Sequence, residues 1–460
     1  MESPLNLSRS SVSGGAPVTL SPSALHFVTP ASASVAEDGS LSVQGFGYCY
    51  QPALTARFLA AHQGPLEISG LWEISPEVAA AFAQHSGVLT LFTTKRTRLC
   101  DASAEALGEH EGELVLCSCH DLSDRAWGGL ARHRGDIRVA GPMALSESGA
   151  QALATHQGFL DLPWMWRLSP AAAEALSKHK GGLSLGLSCR QSKDSTGRSA
   201  AVRSFFGKAE LKTLGYLAQA EGSLCLDNIE QLEVEAIEAL SAAKGALSLL
   251  GLDWNYAAMA GALAKHRGHL SLSVPQSLSW ASANALSAHE GGLSLFFDFV
   301  KIPDQVEALM LGDDSGFLRL SGFKNLSQRH ACVLAARNGP LELLDCFYLS
   351  QTAAQALAKH RFALSLHLDH LSPQAARELL AHPGPLAVDI DGDLSDVTAQ
   401  ILSQFTGQLT CPHKIMTKIS KSSAGGKEQV GNRVTRYPVD HADCAGGCCC
   451  RSREGRANRF

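Results

Sequence analysis

Leucine sets the pattern of this chain. A phrase close to Leu-x-Leu-x-x-Leu-x-x-Leu-Ser-x-x-Ala-x-x-Leu-x-x-His-x-Gly returns along most of its length. The histidines that close it, His62, His85, His110, His133, His156 and His179, step by 23, 25, 23, 23 and 23 residues. The beat resumes at His266 and His289, and again at His360 and His382. A period in this range describes a stacked array, in which each unit buries its apolar side only against its neighbours.

One unit reads as strand, turn, short helix, turn. In residues 66–88, Leu66-Glu67-Ile68 alternates as a strand with one buried face does. Leu71 and Ile74 carry the apolar spine through a turn at Gly70. Ser75 suits an N-cap because its hydroxyl accepts an orphan amide, and Pro76 suits the first helical position because it has none to offer. Val78, Ala79 and Phe82 form the buried helical stripe. His85 and Gly87 end the helix, and the glycine is expected to take the left-handed turn. The same alternation predicts strands beginning at Leu41, Leu66, Leu89, Leu114, Ile137, Leu160, Leu183, Leu224, Leu247, Leu270, Leu293, Leu318, Leu341, Leu364, Leu386 and Leu409, which makes 15 or 16 units.

The Leu-x-Leu strand followed by regular leucine spacing resembles the leucine-rich-repeat family over about residues 40–410. The resemblance implies an α/β solenoid, with a curved parallel sheet on the concave face and short helices on the convex face. Many members carry Asn in the turn, where it builds an internal hydrogen-bond ladder. Here Leu71, Leu122, Leu187 and Leu252 stand instead, so the turn has to be tied in another way. The Ser-capped, Ala-rich helix with its terminal His-x-Gly resembles arrays from bacterial proteins. The family resemblance also implies a non-enzymatic protein-binding scaffold with no cofactor.

Composition narrows the classes further. Hydrophobic residues make up 45% of 460 residues and aromatics only 6%, which fits a core of Leu and Ala. No apolar run reaches the length of a transmembrane helix, so no membrane span is expected. The first residues lack the charged and apolar regions of a secretory signal. The thirteen cysteines include Cys100, Cys225, Cys332 and Cys346, each alone in its repeat and expected to act as a buried apolar filler. A cytoplasmic location follows as the expectation.

The array is expected to occupy residues 39–410. Residues 1–38 are rich in Ser, Pro and Ala and read as a disordered or capping segment. An insertion near 189–208 carries Arg190, Lys193, Arg198, Arg203 and Lys208 against the single acid Asp194. Residues 411–460 form a basic, Cys-rich tail of net charge +6, whereas the chain as a whole carries −5. The insertion and tail together suggest an alternative function, binding of nucleic acid or another anionic surface, which would be steeply salt-dependent.

Catalytic and metal motifs fare poorly. His110-Glu111 and His289-Glu290 begin like a zinc-protease helix, but Leu114 and Leu293 stand where the second His is needed. Ser423 to Lys427 lacks the first Gly and the closing Ser/Thr of a phosphate loop. Cys117-Ser118-Cys119-His120 has no second pair at zinc-ribbon spacing. His441, Cys444 and Cys448-Cys449-Cys450 supply suitable zinc donors, yet adjacent cysteines converge badly and read more simply as incidental thiols. The repeated histidines are expected about 10 Å apart, too far to share an ion, and act as helix C-terminal groups. No Cys has a His/Asp partner pattern, so no catalytic nucleophile is assigned.

A recognition surface remains. Residues flanking the buried leucines of each strand face the concave side, and between Leu114 and Leu160 they are Glu113, Asp136, Arg138, Phe159, Asp161 and Trp164. Rings mixed with charge have the composition of an interface centre. Ser184, Ser248, Ser271, Ser294 and Ser365 occupy the same column and look inert, while Phe296 and Phe317 offer a second anchor. The expected partner is a protein, with nucleic acid second and no membrane.

Overall fold

The computed structural model describes residues 32–187 and 208–419, apart from residues 37, 50, 94–98, 120–121, 142, 228, 311–315 and 413–414. The basic insertion of 189–208, except for the backbone of Lys208, and nearly all of the tail lie outside the described residues. The chain divides into two compact units, one up to Cys225 and one from Leu226.

In the first unit the strands are Ser32–Val35, Leu41–Gln44, Leu66–Leu71, Leu89–Thr93, Leu114–Cys117, Ile137–Ala140, Met143–Leu145, Leu160–Leu168, Leu183–Leu187 and Leu224–Cys225. The helices are Pro52–Ala60, Pro76–Phe82, Asp101–Leu107, Asp124–Leu130, Glu147–Leu153, Pro170–Leu176 and Lys208–Leu217. The opening strand pairs antiparallel with Leu41–Gln44 and caps the sheet. Every later pairing is parallel and keeps the leucines in register, as in Leu66 on Leu89 and Ile137 on Leu160. Leu224 pairs directly with Leu183, so the insertion between them leaves the register intact.

The second unit repeats the plan. Its strands are Leu247–Leu249, Leu270–Ser273, Leu293–Lys301, Leu318–Asn325, Leu341–Tyr348, Leu364–His370, Leu386–Ile390 and Leu409–Thr410. Its α-helices are Val234–Ser241, Ala257–Ala264, Trp280–Leu286, Glu307–Met310, Gln328–Ala335, Gln351–Leu357, Pro373–Leu379 and Asp396–Leu402. All sixteen strand starts read from the leucine pattern are strand starts here. Residues 415–419 are helical and bury Ile415 and Ile419, so the beginning of the tail packs as part of the fold.

The core is a repeated set of strand leucines and helix alanines. Leu89, Leu91, Leu160 and Leu162 have no exposed surface, and neither do Ala104, Ala150 and Ala173 on the helices behind them. Each helix is short, so its ends matter. Nine serines, Ser75 to Ser395, accept the amide three residues on, which satisfies one orphan donor per helix. Cys100 stands at this N-cap position in its own repeat and is exposed, as is Cys332 on its helix. Only Cys225 and Cys346 of the four expected fillers are buried.

The turn is tied by backbone. The strand continues past a bulge and pairs again, as Leu71 does with Thr93 and Cys346 with Leu368. The residue four after the first leucine is left-handed at these two bulges, Gly70 (φ 77) and Asp345 (φ 56), and also at the equivalent positions Ser118 (φ 63) and Gly322 (φ 82). The repeated backbone ladder replaces the side-chain ladder that Asn would build.

The glycine after each histidine has a different role from the one its sequence suggests. Gly112, Gly135, Gly158 and Gly181 are not left-handed. A Cβ at Gly135 would overlap the carbonyl oxygen of Gly112, and one at Gly158 that of Gly135. These glycines allow successive repeats to approach, backbone against backbone.

Candidate functional site

Strand alternation sends the residues on either side of each leucine to the face opposite the helices. Glu113, Asp136 and Phe159 follow one another in a column, each accepting through its backbone carbonyl from the leading amide of the strand before. One step along, Val115 pairs with Arg138, Arg138 with Asp161 and Asp161 with Ser184. The structure therefore brings together Glu113, Asp136, Arg138, Phe159 and Asp161. The side chain of Trp164 lies outside the described residues.

Within this patch the contacts are specific. Arg138 Nε lies 3.3 Å from Asp161 Oδ2, and the Asp161 side chain is only 5% exposed against 34% for Arg138. The Asp136 carboxylate accepts the Phe159 amide at 2.8 Å and so fixes the segment that carries the ring. Phe159 is half-buried. The leucine core closes behind these residues without using any of them. Their arrangement is preorganised, which limits the ordering cost of docking.

The second unit has its own set on the same kind of face. Phe317 carries Arg319 above its ring at 5.4 Å and has His269 beside it, with centroids 5.8 Å apart. His269 Nε2 is 2.8 Å from Ser294 Oγ, and Arg319 pairs with Glu342. Ser294 therefore has a definite polar role, although the sequence column suggests it is inert. Phe296 is also half-buried.

Two features escape a reading of the sequence. Tyr48 and Trp72, both about half exposed, meet edge to face at 4.5 Å. His367 sits among three acids: Asp345 at 3.6 Å, Asp389 at 3.9 Å and Asp391 at 3.2 Å. Its hydrogen bond to Asp345, opposed by burial and aided by Asp391 and Asp389, raises its pKa to about 9. The acids come from the two repeats on either side of His367, Asp345 from one and Asp389 and Asp391 from the other, so no local motif announces them. The aspartates at 389 and 391, two apart in sequence, are the only trace.

The thiol candidates offer little nucleophilicity. Burial raises Cys119 to about 11 despite a hydrogen bond to Thr93, and raises Cys117 as well. Both are therefore thiols at neutral pH. His120, His441, Cys444 and Cys448 to Cys450 lie outside the described residues.

The histidines form a closer ladder than the expected 10 Å. Their rings stack with centroids 5.5–6.3 Å apart and planes within 3–19° in His85–His110–His133–His156–His179, His266–His289 and His360–His382. Helix C-terminal side chains converge on the turn rather than radiating from it. Stacked imidazoles aim their nitrogens side by side, so the ladder still cannot close around one ion. Burial, with help from His133 and His85, lowers His110 to about 4, and the carbonyls of Gly87 and Gly112 offset part of the effect.

No family model matches the chain, and no curated protein matches it. Among solved structures, a leucine-rich-repeat protein of Leptospira interrogans matches with 13% identity, covering 80% of this chain and 90% of that one at a TM-score of 0.27. That overlap is too loose to carry an argument. The repeat itself defines the class: parallel leucine strands alternating with short helices at a 23-residue period. Each unit is therefore an α/β array of parallel leucine strands and short helices, the architecture that the resemblance to leucine-rich repeats implies.

Proposed function

We propose that this chain is a non-enzymatic scaffold that binds a protein partner on the strand face of its first unit. Glu113, Asp136, Arg138, Phe159, Asp161 and Trp164 form the centre of that surface. The observation that carries the reading is the half-buried Phe159 beside the Arg138–Asp161 pair, held by backbone that the leucine core already fixes. A rigid ring next to a positioned charge is the arrangement that concentrates binding energy at interfaces. Among the described residues no helix is long and apolar enough to cross a membrane. Among the described residues Cys49, Cys100, Cys117, Cys119, Cys332, Cys346 and Cys411 are free thiols, which suits a reducing compartment such as the cytoplasm.

The test is affinity capture by the tagged, full-length chain, repeated with Phe159→Ala and with Glu113→Lys. Loss of about 2 kcal/mol of binding, roughly thirtyfold, is expected for Phe159→Ala. Asp161→Ala is a poorer probe, because it strips a buried partner from Arg138 and disturbs the sheet itself. Unchanged capture by both chosen variants, with unchanged urea melts, would place the partner elsewhere.

A further inference from the structure

We propose that Asp304, Glu307 and His330 form a binding site for a divalent transition-metal ion, zinc being the one their donors suit. One nitrogen and two carboxylate oxygens, from two neighbouring repeats, lie within 4.8 Å of one another. His330 Nε2 is 3.8 Å from Asp304 Oδ1 and 3.7 Å from Glu307 Oε1. Donors around a tetrahedral ion at 2.0–2.2 Å stand about 3.4 Å apart, so the two carboxylates need move only a few tenths of an ångström relative to His330, and the fourth position is left for water.

The positions themselves argue against an accident of surface charge. The fourth helical position after the cap is a core alanine in most other repeats: Ala79, Ala104, Ala150, Ala173, Ala283, Ala331, Ala354, Ala376 and Ala399 are all 0% exposed. In the repeat opened by Pro303 that position is Glu307, also buried. The third position carries Val78, Ala126, Ala172, Ala353 or another small residue, but in the next repeat it is His330. Two inward-facing sites have thus exchanged apolar side chains for ligating ones, and the two meet. Burying such groups costs several kcal/mol unless something satisfies them.

The protein satisfies them only in part. The His330 side chain is 6% exposed, and its Nε2 makes no hydrogen bond among the described residues. Arg329 answers Glu307, with Nη2 on Oε2 and Nε on Oε1, both at 2.7 Å. Its side chain is 67% exposed. On ion binding the Nε contact gives way, while Nη2 can stay on Oε2 as an outer-shell partner. Asp304 is 67% exposed and provides the way in.

The test uses Co²⁺ as a probe of the full-length chain, followed by equilibrium dialysis, visible absorption and thermal melts. His330→Ala and Glu307→Ala install the residue type that other repeats carry, so the fold is expected to persist. Asp304→Asn changes an exposed side chain and guards against a folding failure in the other two. The wild type is expected to bind one more Co²⁺ per chain than His330→Ala, with ligand-field bands free of sulfur-to-metal charge transfer. Its melting temperature should rise on adding Co²⁺ or Zn²⁺, and each variant should need at least about tenfold more metal for the same shift. Tail cysteines that take up metal do so equally in every variant and cancel. Equal stoichiometry and equal thermal shifts in the wild type and all three variants would overturn the site.

Discussion

At the residue scale the tightest constraint is the absence of a side chain. Gly112, Gly135, Gly158, Gly181 and Gly291, each two residues after a histidine, face the carbonyl of the glycine one repeat earlier. Gly135→Ala therefore forces backbone, rather than a flexible side chain, to move. It is expected to destabilise the first unit by about 1–3 kcal/mol, as overpacking does. A urea melt checks this, and a midpoint within error of the wild type would show that the repeats can separate at no cost. Gly128→Ala is the control, because a Cβ there meets nothing within 4 Å.

The element scale is where the sequence is most legible, and for identifiable reasons. A strand with one buried face must alternate, and a short helix must solve its N-terminus, so Leu-x-Leu and Ser-Pro mark their elements directly. Ser372→Ala is expected to cost about 1 kcal/mol, because the amide of Ala375 loses the acceptor it has at 3.2 Å. Denaturant melts of the full chain measure the loss, and Ser372→Asp should recover most of it.

What the sequence conceals lies between repeats. The left-handed residue four after the first leucine is Gly at 70 and 322 but Ser at 118 and Asp at 345, so residue type alone does not reveal its backbone. Asp136 looks like a plain surface charge in the sequence, yet it accepts the amide of Phe159, 23 residues away. His367 and its three acids, and His330 with Asp304 and Glu307, are gathered by stacking from adjacent repeats. Contacts of this kind have no spacing signature within one repeat. They become visible only when the repeats are superposed and the odd residue in a column is noticed.

For the whole molecule the histidine ladder sets a pH dependence. Burial is the leading cause that lowers the pKa of His110, His133, His156, His179, His266, His360 and His382. The unfolded chain takes up these protons as pH falls through about 6.5, while the folded chain does not until lower pH, about 4 for His110. The unfolded state thus binds more protons in that window. The stability present above pH 6.5 is lost as pH drops, at about 1.4 kcal/mol per pH unit for each histidine that stays neutral. His367 has the opposite sign: its contribution is full below about 6.5 and fades as pH rises through about 9. Urea midpoints are expected to fall steeply from pH 7 to pH 5, and a flat profile there would contradict the ladder's burial.

Within each run the ladder and the glycine column repeat from rung to rung, whereas the Arg138–Asp161 pair and the Asp304, Glu307 and His330 set each belong to one pair of rungs. This difference governs how such a gene can change in copy number. Duplication or loss of one whole 23-residue segment joins like to like along the histidines and glycines, so the array tolerates being lengthened or shortened. Loss of a segment that contains residue 138 or 161, or residue 307 or 330, removes one of two residues that act as neighbours. Length is therefore free to drift in the uniform stretches and held fixed where repeats cooperate.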